Sequence, residues 1–450
     1  MVMTKNKYEI VLLCFTLSLI VFSIIENKTS IVRERKLVVI PFLSTTNIYP
    51  GIPKPKKQGF EEDLFQLLSD HLGQRVVIRN VRSQDQAKKS LSLGFVDLIT
   101  LPISQGGEHY DQFLQSRSFL ETHHSFVFRE ESGHPQHDFD LTNNKIGITP
   151  NIKNIYVHYQ SPNKNTSRAT QPVTYEAGNI FIQLSNEKID YAILPYQDAK
   201  NLIRFFPKTK LSKLNKKNQN LKWIVKKSRT DLKASVDELI HKISIDGKLS
   251  QLKDKHFGHL DRLKSQDIAA FLKKIDTTLP KYQNDFEQAG LFYKVDWRLI
   301  AALGYQESHW NPQAVSRTGV KGLMMLTIPT SNRLGVKNRL NARENIYAAT
   351  NYIKILKSSL PKKILEPDRT WMALASYNVG HGHVEDARIL AERFNLNPNH
   401  WVSIRKTLPL LSRKKYHSTV KRGYARGGEA VALVESVRNY YEIITNNGPN

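Results

Sequence analysis

Near residue 260 the pattern of this chain changes, and one fold class cannot serve both sides of the change. From Lys36 to about His256, short β-rich runs alternate with helical patterns. "KLVVIPFL" (36–43) reads as a strand, "GFEEDLFQLLSDHLG" (59–73) as an amphipathic helix closed by Gly73, and "RVVIRNV" (75–81) as a second strand. "AKKSLSLGFVDLITLP" (87–102) gives helix, turn and a short buried strand; "KIGITP" (145–150) and "KIDYAILPY" (188–196) repeat the theme. Such alternation predicts an α/β domain with a mainly parallel sheet. From about Arg262 the strand pattern disappears. Residues 265–293 predict two helices broken near Pro280, and Asp296 caps a helix that starts at Trp297. Further helices are expected over 343–359, 368–377, 383–395 and 427–445, so this half is all-α. The expected division is residues 27–260 and 261–450, preceded by a segment 1–26 of its own kind.

That first segment has Lys5 and Lys7 before a continuous apolar run, Ile10 to Ile25. A basic flank followed by an apolar run is an export signal. The run is longer than a usual signal core and shorter than a comfortable membrane span of about 20 residues. Cleavage near residue 26 and retention as an anchor are both open, and either places the rest outside the cytoplasm. Leu13 stands where a small residue would precede a lipid-modified Cys14. Cys14 is the only cysteine, which excludes an intramolecular disulfide and a cysteine-based metal site.

The 450 residues carry 66 Lys and Arg against 41 acids, a net charge of +25. An excess of that size points to a polyanionic partner: nucleic acid, a membrane surface or an anionic wall polymer. No zinc-finger spacing and no aromatic RNA-binding consensus is present, so no nucleic acid is expected. Lysines crowd residues 206–229, and Arg405 to Arg426 holds eight basic residues and no acid. The first stretch is read either as a solvated loop face or as a contact for an anionic surface, the second either as a solvated face or as a surface for peptide carboxylates or anionic lipid. His123 and His124 are expected to be an ordinary exposed pair. His381 and His383 flank Gly382 without an acidic partner pattern, so no metal is expected there.

One position breaks the apolar pattern of the helical half. In "LIAALGYQESHWNP" (299–312), Ile300, Leu303, Gly304 and Glu307 fall at helical spacing. Asn311-Pro312 ends the helix, which puts Glu307 in its last turn. A buried carboxylate without a cation loses hydration and its pKa rises. The helix dipole disfavours negative charge at that end and pushes the same way. The position is poor for stability and good for a general acid. On the helix alone, a glutamate reaching out to solvent is the favoured reading.

The residues beyond Glu307 decide between them. "ESHWNPQAVSRTGVKGLMMLTIPT" (307–330) and "WMALASYNVGHGHV" (371–384) resemble the family 1 lytic transglycosylases, whose catalytic domain has the goose-type lysozyme fold. The family pattern is Glu-Ser, Asn/Asp-Pro, Ser-x-x-Gly-x-x-Gly-Leu-Met-Gln and Ala-Tyr-Asn-x-Gly. The resemblance implies that Glu307 is the catalytic acid and that Ser308 positions substrate beside it. It also implies that Gly322, Leu323 and Met324 hold a loop at the cleft, that Tyr377 holds or polarises Glu307, and that Asn378 contacts sugar. Met325 replaces the family glutamine, which removes an amide contact. Residues 35–257, with the "GFEEDL" helix and the Gly94 to Asp97 turn, resemble periplasmic solute-binding proteins of the polar amino-acid type. That family has two α/β lobes around a ligand cleft. The arginine that usually clamps a ligand carboxylate is absent from "GEHYDQF" (107–113), where His109 or Tyr110 stands. The domain is therefore expected to regulate or position, with its ligand unknown.

The order of signal, solute-binding-like domain and catalytic domain resembles the membrane-bound lytic murein transglycosylases. It implies an α/β two-lobed periplasmic-binding-protein-like domain followed by an all-α goose-type-lysozyme-like domain. It implies action on peptidoglycan glycan strands at the periplasmic face of the outer membrane, without cofactor or metal. A two-carboxylate glycosidase needs a second acid. The matching blocks contain none, and Glu344, Asp368 and Asp386 lie on other predicted helices. The family's reaction uses one glutamate and the sugar's own C6 hydroxyl, closing a 1,6-anhydro ring. A water-using muramidase on the same fold and a non-catalytic glycan-binding sensor are the competing readings.

Overall fold

The structure is a computed structural model, and it describes residues 36–43, 59–81, 83–104, 112–133, 144–152, 172–213 and 218–447. The apolar run at 10–25, and His109 and Tyr110, lie outside the described residues. The α/β half contains β1 (Leu37–Ile40), α1 (Phe60–Leu72), β2 (Val76–Ile78), α2 (Gln84–Leu93), β3 (Leu98–Ser104), β4 (Phe113–Thr122), β5 (His124–Arg129), β6 (Ile146–Ile148) and β7 (Val173–Thr174). It continues with α3 (Ala177–Ser185), β8 (Tyr191–Pro195), α4 (Tyr196–Ile203), β9 (Thr209–Lys213), β10 (Gln219–Lys226), α5 (Thr230–Ile245) and α6 (Lys248–Phe257). Gly73 closes α1 in a left-handed conformation, as its position in the sequence requires.

Two sheets form two lobes, in the orders β2-β1-β3-β10-β4 and β7-β6-β8-β5-β9. Each combines parallel pairs (β1 with β2 and β3; β6 with β7 and β8) and antiparallel ones (β10 with β3 and β4; β5 with β8 and β9). The expected mainly parallel sheet is thus corrected to two mixed sheets. The chain crosses between the lobes twice, from β4 to β5 and from β9 to β10, and each returning strand enters against the parallel set. The lysine-dense stretch is likewise not simply a loop. It contains β9 and β10, and in "QNLKWIVK" Leu221, Trp223, Ile224 and Val225 are buried while Lys222 and Lys226 are only half-buried. Lys222 and Lys226, among the other lysines of that stretch, hid a central strand. His124 is buried on β5, where burial and then the neighbouring His123 push its pKa down to about 4, and His123 is half-buried against the Tyr196 ring, so neither is the exposed histidine expected.

Between the lobes a cleft is lined by Phe42, Asn80, Gln84, Thr100, Thr149 and Glu176. Glu61 lies buried in the first turn of α1, its carboxylate accepting from the backbone N–H of Phe42 (2.9 Å) and Leu43 (2.6 Å). Burial still pushes its pKa up to about 7.

The second half is helical: α7 (Ser265–Thr277), α8 (Gln283–Tyr293), α9 (Trp297–Ser308), α10 (Ile328–Arg333), α11 (Ala342–Ser359), α12 (Asp368–Val379), α13 (His381–Arg393), α14 (Trp401–Thr407), α15 (Lys414–His417) and α16 (Gly427–Asn447). Its core is continuous from Ile268 to Ile444. The long α16 packs on α9 and α12, with the Tyr440 ring 4.8 Å from Tyr305 and 4.4 Å from Phe271. Among the described residues no helix is long and apolar enough to cross a membrane.

Charged groups fasten the halves together. Asp254 on α6 accepts from Arg438 and Arg405, each at 2.9 Å, and Arg405 also meets Glu435 at 2.7 Å. Glu442 on α16 pairs with Arg204 from the second lobe at 2.5 Å. Burial pushes His259 down to about 3, so its contact with Glu442 at 3.0 Å is a hydrogen bond from a neutral ring. Gln251 donates to Asp368, whose pKa burial pushes up to about 6.

Candidate active site

The helix α9 is built as its sequence requires. Asp296 caps it by accepting from the Arg298 N–H at 3.0 Å, and the buried stripe runs from Leu299 to Tyr305. His309 and Trp310 then turn left-handed (φ 54° and 60°), and buried Trp310 donates from Nε1 to the Ala301 carbonyl at 2.8 Å. This lock fixes the end of the helix, and with it Glu307.

The next segment, 314–326, is a compact loop with no helix. Gly322 N–H donates to Ala314 O at 2.9 Å, and Lys321 and Leu326 exchange backbone hydrogen bonds at 3.2 and 3.0 Å. Gly322 adopts φ 89°, and a Cβ there would stand 2.0 Å from the Arg339 carbonyl oxygen, so only glycine fits. Met325 is also left-handed, at φ 49°. The loop lies on α9 at Gly304, where a Cβ would meet Leu323 Cδ2 and Met324 Sδ at 2.9 Å.

Side chains tie this loop to the helix. Ser308 Oγ donates to the Leu323 carbonyl (2.7 Å) and accepts from the Asn311 N–H (3.0 Å). Tyr377, in the last turn of α12, donates its hydroxyl proton to the Met324 carbonyl at 2.6 Å. Its ring lies 5.6 Å from that of Tyr352 on α11. Asn378 is exposed beside it. Leu323 and Met324 are fully buried and Met325 is half-buried. The structure therefore brings Glu307, Ser308, Gly322, Leu323, Met324 and Tyr377 together. Ser308 and Tyr377 spend their hydroxyl protons on loop carbonyls.

Glu307 makes no hydrogen bond or ion pair with the described residues. It keeps some surface, yet burial pushes its pKa up to about 8, and burial is the only influence on it. Among the described residues no second carboxylate couples to it. Glu344 accepts from the backbone N–H of Lys337 (3.0 Å) and Asn338 (3.1 Å), Asp386 accepts from Arg422 N–H (2.8 Å), and Asp368 sits at the seam between the halves. Tyr377 feels Glu307: burial first, then the glutamate's charge, raise its pKa well above the usual value. Among the described residues no group of His, Cys, Asp and Glu could hold a metal.

Two residues escaped the sequence reading. Asn345, fully buried on α11, accepts the Met324 N–H at 2.6 Å and lies under Gly322. Arg339 donates to the carbonyls of Gly319 (2.9 Å) and Leu326 (3.0 Å). The available signal was an asparagine beside Ile346, one turn from Ala349 and so on the buried stripe of its helix.

Family models match both halves: one described as Transglycosylase SLT domain over residues 284–398, the other as Bacterial extracellular solute-binding proteins, family 3, over residues 49–259. Among curated proteins, the chain is similar to the membrane-bound lytic murein transglycosylase F of Methylobacillus flagellatus (37% identical, over 78% of this chain and 74% of that protein). Proteins of the same name from Hahella chejuensis (33%; 92% and 82%) and Shewanella baltica (34%; 86% and 81%) are similar too. Among solved structures, an amino acid ABC transporter substrate-binding protein from Streptococcus pneumoniae bound to L-arginine is 20% identical, with TM-score 0.42 over 51% of this chain and 98% of that one.

Proposed function

Since the chain belongs to the membrane-bound lytic murein transglycosylase F family, a family of peptidoglycan-cleaving enzymes, we propose that Glu307 is its single catalytic acid and base. The observation that carries this reading is the isolation of Glu307: a carboxyl raised to about 8 by burial, with no cation and no second carboxylate among the described residues acting on it. Such a group is protonated at neutral pH and can give its proton to the glycosidic oxygen between N-acetylmuramic acid and N-acetylglucosamine. The bond to the leaving sugar breaks, and the muramoyl ring takes on oxocarbenium character. Glu307, now a carboxylate, removes the proton of the same sugar's C6 hydroxyl as that oxygen closes on C1. One proton leaves Glu307 and one returns, and a 1,6-anhydromuramoyl end forms without water.

The tethered hydroxyl outcompetes water because intramolecular reactions in good geometry reach effective molarities on the order of 10⁵ M. A hydrolase would need a second carboxylate to hold water on the far face of the sugar. In the proposed site Ser308, Gly322, Leu323, Met324 and Tyr377 shape the wall that desolvates Glu307, Met325 lies at that wall, and Asn378 faces sugar. The enzyme acts in the periplasm in association with membrane, and the outer membrane is the surface proposed, with residues 1–26 as signal or anchor. Digestion of purified sacculi in H₂¹⁸O, followed by mass analysis, tests the chemistry. Anhydro ends free of ¹⁸O are expected; reducing ends carrying ¹⁸O would replace the proposal with a muramidase.

A further inference from the structure

The segment between α14 and α16 lies along α13 and is fixed to it in an unusual way. At one end Arg393 donates to Thr419 Oγ1 (2.7 Å) and Thr419 O (3.0 Å), and the Tyr416 ring meets Phe394 at 6.0 Å. At the other end Asp386 accepts the backbone N–H of Arg422, and the Arg422 side chain covers Gly382, where a Cβ would meet its Cγ at 2.9 Å. The segment therefore runs antiparallel to the 13-residue α13, a length of about 20 Å. The anchoring uses Thr419 and the Arg422 backbone, and it consumes no basic side chain of the segment.

Arg413, Lys414, Lys421 and Arg422 are exposed, and their side chains form no hydrogen bond or ion pair with the described residues; Lys415 lies only over the Tyr416 ring. No acid occurs from Arg405 to Arg426. The result is a band of exposed positive charge without ion pairs among the described residues. Its Arg422 end touches Gly382, four peptide links from Asn378, at most about 15 Å of chain. His381 and His383 stand at the same place, and the Nδ1 atom of each is buried without a partner among the described residues. The band starts where the proposed glycan cleft ends.

We propose that this band, from Arg422 and Lys421 toward Lys414, holds the acidic stem peptide carried by the muramoyl residue of the strand being cut. The inference rests on the reading of Glu307 as the acid of that cleft. A stem peptide of four or five residues, extended at about 3.3 Å each, spans roughly 15 Å and presents carboxylates along its length. That matches the band in length, in charge and in its starting point at the cleft. Opposite charge held beside a cleft raises capture of the matching substrate and fades with salt. A lipid surface would take up the same charges, but nothing would then require the band to begin at the cleft.

The test compares intact sacculi with glycan strands freed of peptide by an amidase, using the full-length protein. The double variant Lys421→Ala, Arg422→Ala is expected to lose about tenfold in kcat/KM on stem-bearing strands, the order of one charge-assisted contact. On peptide-free strands it should stay within about twofold of the parent, so failure of the Glu307 reading, seen as activity surviving Glu307→Gln on both substrates, is a separate outcome. For the unaltered protein, raising salt should erase the preference for stem-bearing strands and leave the peptide-free rate nearly constant, a readout that needs no variant. Equal losses on both substrates, or no loss on sacculi, overturns the proposal. So does binding of the band to vesicles of anionic phospholipid with the stem preference intact in the double variant.

Discussion

Glu307 is destabilising where it stands, and that gives it a signature apart from turnover. Its folded pKa of about 8 lies above the ordinary 4.5, so between those values the unfolded chain has released a proton that the folded chain keeps. Stability therefore falls as pH rises from about 4.5 to 8 and levels off above. Glu307→Gln is expected to abolish turnover while raising the melting temperature at pH 8, with no such gain at pH 4; scanning calorimetry at the two pH values checks this. If the acid form is the active one, kcat/KM of the parent declines above about pH 8 with unit slope. Glu307 was legible because a charge interrupted an apolar stripe and four spaced blocks surrounded it. Asn345 was not, because a buried asparagine on a helix leaves no mark until the backbone N–H it accepts is seen.

Among the elements, the loop 314–326 carries most of the geometry with the least regular structure. Gly322→Ala would force a side chain into a left-handed position and against the Arg339 carbonyl. Strain and overpacking together amount to roughly 2–4 kcal/mol. The expected result is a lower melting temperature and a larger loss of turnover than of stability, since Leu323, Met324 and Tyr377 are all set by this loop; urea titration and sacculus digestion measure the two. The helices were readable because caps and breakers sat at their ends: Asp296 before α9, Gly73 after α1. Strands β4 and β10 were harder, since they pair with each other, and β10 with β3, across both crossovers. Pairing that depends on a strand more than 100 residues away has no local pattern, and the lysines of β10 gave a misleading one.

At the scale of the whole molecule, the ionic fastening makes a point mutation worse than a deletion. Asp254→Ala in the full chain leaves Arg438, which is 2% exposed, without its carboxylate, and Arg405 with Glu435 alone. Breaking a buried pair in this way is destabilising by about 3–5 kcal/mol. Removing residues 27–260 instead opens the same arginines to water, and the helical core from Ile268 to Ile444 is supplied by its own helices. The truncated domain is expected to remain folded by circular dichroism, while Asp254→Ala melts well below the parent; a truncated domain without helical signal would contradict this. The two-part layout was legible from the change of pattern near residue 260. The fastening was not, because Arg204, Asp254, Arg438 and Glu442 look like ordinary surface charges in sequence.

The packing of α16 also has a consequence in time. Tyr441 donates to Asp296 at 2.8 Å, Tyr440 lies on Tyr305, and so the helix that carries Glu307 is covered by residues that come after every other described element. As the chain is synthesised, more than a hundred residues must emerge after Glu307 before its helix acquires that cover. A nascent chain that has already delivered Glu307 therefore still lacks, until α16 has formed, the cover over Asp296 and Tyr305 that holds its helix.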